Sequence, residues 1–142
     1  MIVYFDPFYF KNGAESKPKY FIVLKLLGNK AILASLPSSK KHLPPSISTA
    51  HGCVEVPDGC INCYFFEAGK AICENNWSFK LPTYLYGQYL DEYDIEVLED
   101  IYPTEGINYK IMGVLTKEEF TSLKECFATS ASVKRKYRKV LG

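Results

Sequence analysis

The apolar residues of this chain come in short bursts. IVYF at 2–5, YFIVLKL at 20–26, KAILASL at 30–36, CVEV at 53–56, INCYFF at 61–66 and KAIC at 70–73 are rich in β-branched and aromatic side chains, and Gly, Pro, Asn or charged residues separate them. Runs of this length suit strands better than helices, and their spacing predicts an all-β barrel or sandwich. Turn chemistry agrees. Gly28-Asn29 lies between two apolar runs and predicts a hairpin, because both residues accept positive φ. Pro57-Asp58-Gly59 predicts a second turn, with Pro presetting φ and Gly relieving crowding.

The period changes towards the C-terminus. Thr116-Lys117-Glu118-Glu119 has the form of a capping box, in which Thr accepts from first-turn amides and Glu119 reaches back. Phe120, Leu123 and Phe127 follow on one helical face. Ala128 to Ser132 weakens that helix, and VKRKYRKVLG at 133–142 is either a second short helix or part of a basic tail over 131–142. The acidic stretch before Pro103 carries Leu90, Val97, Leu98, Ile101 and Tyr102, enough for a short amphipathic helix.

With 142 residues and 47% apolar content, the chain is sized for one domain over 1–142. Its net charge of +1 excludes a globally basic coat, so a nucleic-acid surface must come from local clustering. Charge is unevenly spread: Asp91 to Glu105 holds seven acids and no base, whereas Lys134, Arg135, Lys136, Arg138 and Lys139 crowd the end. The N-terminus reaches Asp6 too soon for a signal-peptide core, and no apolar run approaches membrane-spanning length, so a cytoplasmic protein without membrane contact is expected. Five cysteines, an odd number, then argue for reduced thiols rather than a disulfide framework.

Three of those cysteines fall in HGCVEVPDGCINCYFF, residues 51–66, where His51, Cys53, Cys60 and Cys63 have the ligand types of a zinc site. A zinc-stabilised interaction module is one reading. The strand pattern argues against it, because Cys60 and Cys63 on an extended strand face opposite sides and β-branched Ile61 suits straight pairing. The thiols are therefore expected as small apolar fillers of a hairpin, with neither metal nor other cofactor required.

Three pieces in fixed order carry a family resemblance: YFDP at 4–7, SKPKYFIVL at 16–24 with AILASLPSSKKHLP at 31–44, and GVLTKEEFTSLKECF at 113–127. Together they resemble the MazF/PemK toxins of bacterial toxin-antitoxin pairs, over roughly half the chain. The resemblance implies a mainly β fold, an SH3-like small barrel of the MazF/PemK/CcdB kind with a closing C-terminal helix. Residues 48–108 are longer than the corresponding part of the family and are expected as an insertion containing the hairpin. The implied function is metal-independent endoribonuclease cleavage of single-stranded RNA, inhibiting growth, by a homodimer that a small antitoxin protein neutralises. The implied chemistry is attack of a ribose 2′-hydroxyl on the adjacent phosphate, which needs a base, an acid and fixed positive charge.

Lys17 stands where the family carries Arg and is the candidate phosphate clamp, with the charge kept and the guanidinium fork lost. Ser38 stands for the family's Thr, although Ser35 also fits the loop length; plain turn residues are the alternative reading of these serines. His42 follows in the same loop and, as an imidazole, is a candidate proton carrier. Ser39, Lys40 and Lys41 are candidate RNA contacts. Trp77 offers a surface for base stacking beside Tyr84 and Tyr86, or is a core residue. The rival function on the same barrel is a non-catalytic module binding RNA or protein, with Lys17 and Ser38 as remnants of a site.

Overall fold

The computed structural model describes residues 1–29, 31–44, 47, 49–56 and 59–142. Among them the elements follow as β1 (Ile2–Phe8), β2 (Lys17–Leu26), β3 (Ala31–Ser35), β4 (Gly52–Val56), β5 (Ile61–Phe66), β6 (Thr83–Tyr86), β7 (Asp91–Asp94), α1 (Ile95–Ile101), β8 (Tyr109–Gly113), α2 (Lys117–Ala128) and α3 (Arg135–Leu141). A 3-10 turn at Gly87–Tyr89 links β6 to β7. The strands form two antiparallel sheets, one ordered β7-β3-β2-β1-β8 and one ordered β4-β5-β6, rather than a closed barrel.

The run Phe21-Ile22-Val23-Leu24 explains the layering. Side chains alternate along a strand, so a continuously apolar run must be covered on both faces. Ile22 and Leu24 enter a core that also holds Tyr64 and Phe66 of the second sheet and Leu123 and Phe127 of α2. Phe21 enters a separate core with Val3, Phe5, Phe8 and Ile32, with Tyr93 of β7 and Tyr102 just after α1, and Val23 packs against it. Each large side chain buried this way contributes about 1.5–3 kcal/mol. A third cluster, Leu43, Cys63, Phe65, Tyr84 and Tyr86, covers the other face of the small sheet.

The β2–β3 hairpin is closed by Leu27 N donating to Ala31 O at 2.7 Å, and Gly28 takes φ 79°. Pro57 and Asp58 of the other expected turn lie outside the described residues, but β4 and β5 pair as the hairpin requires, from Gly52 opposite Phe65 to Val56 opposite Ile61. The expected strand at Lys70 to Cys73 is reduced to one bridge between Cys73 and Leu115. The cause is local: Asn76 N donates to Cys73 O at 2.9 Å, Asn76 takes φ 64°, and the chain folds back before a ladder can form. Residues 48–108, expected as an insertion, supply the whole second sheet and also β7, one of the two edge strands of the first.

Both C-terminal helices are present. Thr116 Oγ1 accepts from Glu119 N at 3.2 Å, half of the expected capping box. The other half is not made: Thr116 N donates to Ile72 O at 3.0 Å, and Glu119 Oε1 is bonded to His51 and Tyr64. The short helix in the acidic stretch is α1, capped by Asp94, which accepts from Val97 N at 3.2 Å.

The reduced-thiol expectation is corrected. Cys53 of β4 and Cys126 of α2 form a disulfide across 73 residues of sequence. Cys60 is free and exposed, while Cys63 and Cys73 are free and buried. The buried pair act as apolar fillers, and burial raises the Cys63 thiol pKa to about 11, which keeps it protonated. With Cys53 bonded to Cys126 and His51 to Glu119, two of the four side chains of the zinc reading are engaged elsewhere.

Candidate functional site: a lysine-lined groove

Beyond the end of the Phe21 core, the β1–β2 loop, the start of β2 and the segment after β3 enclose an open groove of about 950 Å³. The 3-10 turn and the N-terminal end of α3 complete its rim. Its wall carries five lysines, Lys11, Lys17, Lys19, Lys40 and Lys134, against two carboxylates, Glu15 and Asp91. That balance gives a near-neutral protein a locally cationic cleft. Phe8, Phe10, Tyr89 and Tyr93 add aromatic surface.

Ser38, Lys40 and His42 are held there by the second sheet. After β3 the chain crosses from the first sheet to β6: Ser38 N donates to Tyr84 O at 2.8 Å and Tyr84 N donates to Ser38 O at 2.7 Å. The Tyr86 hydroxyl then fastens the next residues, accepting from His42 N at 2.7 Å and donating to Lys40 O at 2.7 Å. Tyr86→Phe is expected to leave both backbone groups without this partner and to cost about 1–3 kcal/mol of stability. Urea unfolding checks the loss, and the backbone amide of His42 should exchange faster with solvent.

The lysines differ in availability. Lys11 is occupied: Nζ pairs with Asp91 at 2.9 Å, donates to Glu92 O and lies 4.0 Å above the Tyr93 ring centroid. It ties the β1–β2 loop to β7. Lys17 and Lys40 are exposed, and among the described residues neither pairs with a carboxylate. Lys19 is half-buried, and its Nζ donates to Pro37 O at 3.0 Å. Burial holds its amine below the ordinary lysine range, and the ammonium groups of Lys17 and Lys40 push it the same way.

The groove brings together Lys17, Ser38, Lys40 and His42 of the sequence candidates. Ser38 is half-buried and Oγ accepts from Lys40 N at 3.1 Å, leaving the hydroxyl proton free to donate. Ser35, the alternative match, is fully buried within β3 and off the groove. Ser39 and Lys41 are exposed outside the groove wall, with Lys41 Nζ donating to Ile47 O at 3.0 Å. Trp77 lies elsewhere: it packs on Tyr20 and Phe79, at centroid distances of 5.5 and 4.9 Å, against the main core.

Lys19 and Tyr89 also line the groove, although neither is among the candidates from the sequence. Lys19 had a visible signal, since a residue two beyond Lys17 on a strand shares its face. Tyr89 had none, because its exposure at the groove depends on the 3-10 turn that follows β6. No helix among the described residues is long and apolar enough to cross a membrane. Neither the protein-family models, nor the curated proteins, nor the solved structures give a match to this chain.

Proposed function

We propose that the chain is a MazF/PemK-like endoribonuclease that cleaves single-stranded RNA at the lysine-lined groove. The observation that carries this reading is the convergence of Lys17, Ser38 and His42, from two separate parts of the sequence, on one cationic cleft. Phosphate transfer needs what these side chains supply: Lys17 and Lys40 offer positive charge to the phosphoryl oxygens, Ser38 offers a hydroxyl donor, and His42 a proton for the leaving 5′-oxygen. Tyr89, about half exposed on the rim, supplies the stacking surface for an unpaired base in place of Trp77. The Ser38–Tyr84 bridge joins the two sheets at one corner and favours an SH3-like barrel opened on its other side. By the same resemblance the active form is a homodimer acting on cytoplasmic RNA and silenced by a small antitoxin.

The test is incubation of the purified protein with several long unstructured RNAs in EDTA. Wild type is expected to cut. Lys17→Ala and Ser38→Ala are each expected to lose about 10²-fold in rate, the scale of removing one oxyanion-type donor. Intact RNA with wild type sinks the nuclease reading. Retention of RNA on the groove without cutting, lost in Lys17→Ala, favours the non-catalytic module instead.

A further inference from the structure

We propose that Lys19 is the group that takes the 2′-hydroxyl proton during cleavage, an inference that rests on the nuclease reading above. Three geometric facts lead to it. Lys19 lies two residues from Lys17 on β2, so both lysines rise from one face of the strand. Its Nζ donates to the carbonyl of Pro37, the residue immediately before Ser38, which ties the amine to the segment that carries the hydroxyl donor. It lines the groove while being more enclosed than Lys17 or Lys40.

Charge supplies the chemistry. The titratable groups sharing the groove wall with Lys19 are Lys17 from its own strand, Lys11 and Glu15 from the β1–β2 loop, Lys40 and His42 from the loop after β3, Tyr89 of the 3-10 turn, Asp91 and Tyr93 of β7, and Lys134. Burial first, and then the ammonium groups of Lys17 and Lys40, disfavour the charged form, so the neutral amine is populated at lower pH than for a free lysine. A neutral amine keeps its N–H bond to Pro37 O and still has a lone pair to accept a proton. As the 2′-oxygen bonds to phosphorus, its proton passes to Lys19. The bond from phosphorus to the 5′-oxygen breaks, and protonated His42 delivers a proton there, leaving a 2′,3′-cyclic phosphate and a 5′-hydroxyl. Lys17, exposed and charged, remains the clamp.

Lys19→Arg separates charge from proton acceptance, because a guanidinium keeps the positive charge and donors but stays protonated at any working pH. Single-turnover cleavage of a labelled RNA, measured across pH, is read alongside RNA affinity by fluorescence anisotropy. Lys19→Arg is expected to bind RNA within about threefold of wild type, yet to cleave about 10²-fold or more slower and to lose the rise of rate with pH. Lys19→Met, a neutral side chain of similar length, guards against a misfolded Arg variant and is expected to show the same loss of rate. If either variant, folded by circular dichroism, cleaves within about threefold of wild type, Lys19 is not the base and the nuclease reading stands. A wild type that cuts no RNA overturns both.

Discussion

Opening the Cys53–Cys126 disulfide is expected to lower the unfolding free energy by about 4 kcal/mol, on the loop-closure argument for a cross-link that spans 73 residues. The bond restricts the unfolded chain, and it does so between elements that meet only when the fold is complete: β4 begins the second sheet and α2 follows the last strand of the first. Other ties between the same regions survive reduction. His51 remains bonded to Glu119, and Ser130 Oγ donates to Glu55 Oε1 at 3.0 Å. Folding should therefore persist at reduced stability. Cys53→Ser is the cleaner variant, because Cys53 is exposed whereas Cys126 is buried and a hydroxyl there would need a partner. Urea unfolding with and without reductant measures the effect. An unchanged midpoint in wild type would mean that the two sulfurs are not bonded in the folded protein.

Phe127→Ala is expected to cost about 3–5 kcal/mol, the range for deleting a fully buried aromatic ring. Phe127 is fully buried in the core that joins both sheets to α2 and α3. The loss should also reach the groove. A Cβ built on Gly87 would lie 3.6 Å from the Phe127 ring and only 2.7 Å from Val133, so these side chains pack directly under the turn that carries Gln88 and Tyr89. Lys134, which follows Val133, lines the same groove. A cavity at Phe127 removes support from that rim, and RNA affinity should fall along with stability. Leu141→Ala, buried in the same core from α3, is the control: a similar loss of stability without a matching loss of affinity would localise the support to Phe127.

Strands on apolar runs set off by turn residues were legible in the sequence, whereas β6, β7 and β8 were not. β1, β2, β3 and β5 fall on the expected runs and are largely covered by a core, and β4 falls on its run with only Val54 and Val56 packed against one. β7 was hidden in the acidic run, where only Tyr93 turns inward between Glu92 and Asp94. It is an edge strand, and charged outward residues are how edges are kept from pairing with another chain. α2 was legible from its period and its Thr116 cap, whereas the segment of α3, which has no side-chain cap, could be read as a short helix or as a basic tail. The partner of the Glu119 carboxylate was not, because His51 lies 68 residues earlier and only tertiary packing brings it to α2.

The same distinction holds for the groove. Lys17, Ser38 and His42 could be singled out by residue type and family likeness, but their convergence depends on the Ser38–Tyr84 bridge between the sheets. The pairing of Cys53 with Cys126 lay beyond reach, since five cysteines leave many pairings open. With that bond in place, the cysteine count no longer supports a reducing compartment.

The claim that the groove cleaves RNA through the ribose hydroxyl is tested most directly with a pair of substrates. One is an RNA that the protein cuts, and the other is identical except for a single 2′-deoxy nucleotide on the 5′ side of the cut bond, both incubated in EDTA. The all-ribose substrate is predicted to yield a 2′,3′-cyclic phosphate and a 5′-hydroxyl by mass spectrometry, and the substituted one to stay whole at that position. Cleavage of the deoxy-substituted bond at an undiminished rate would contradict the account.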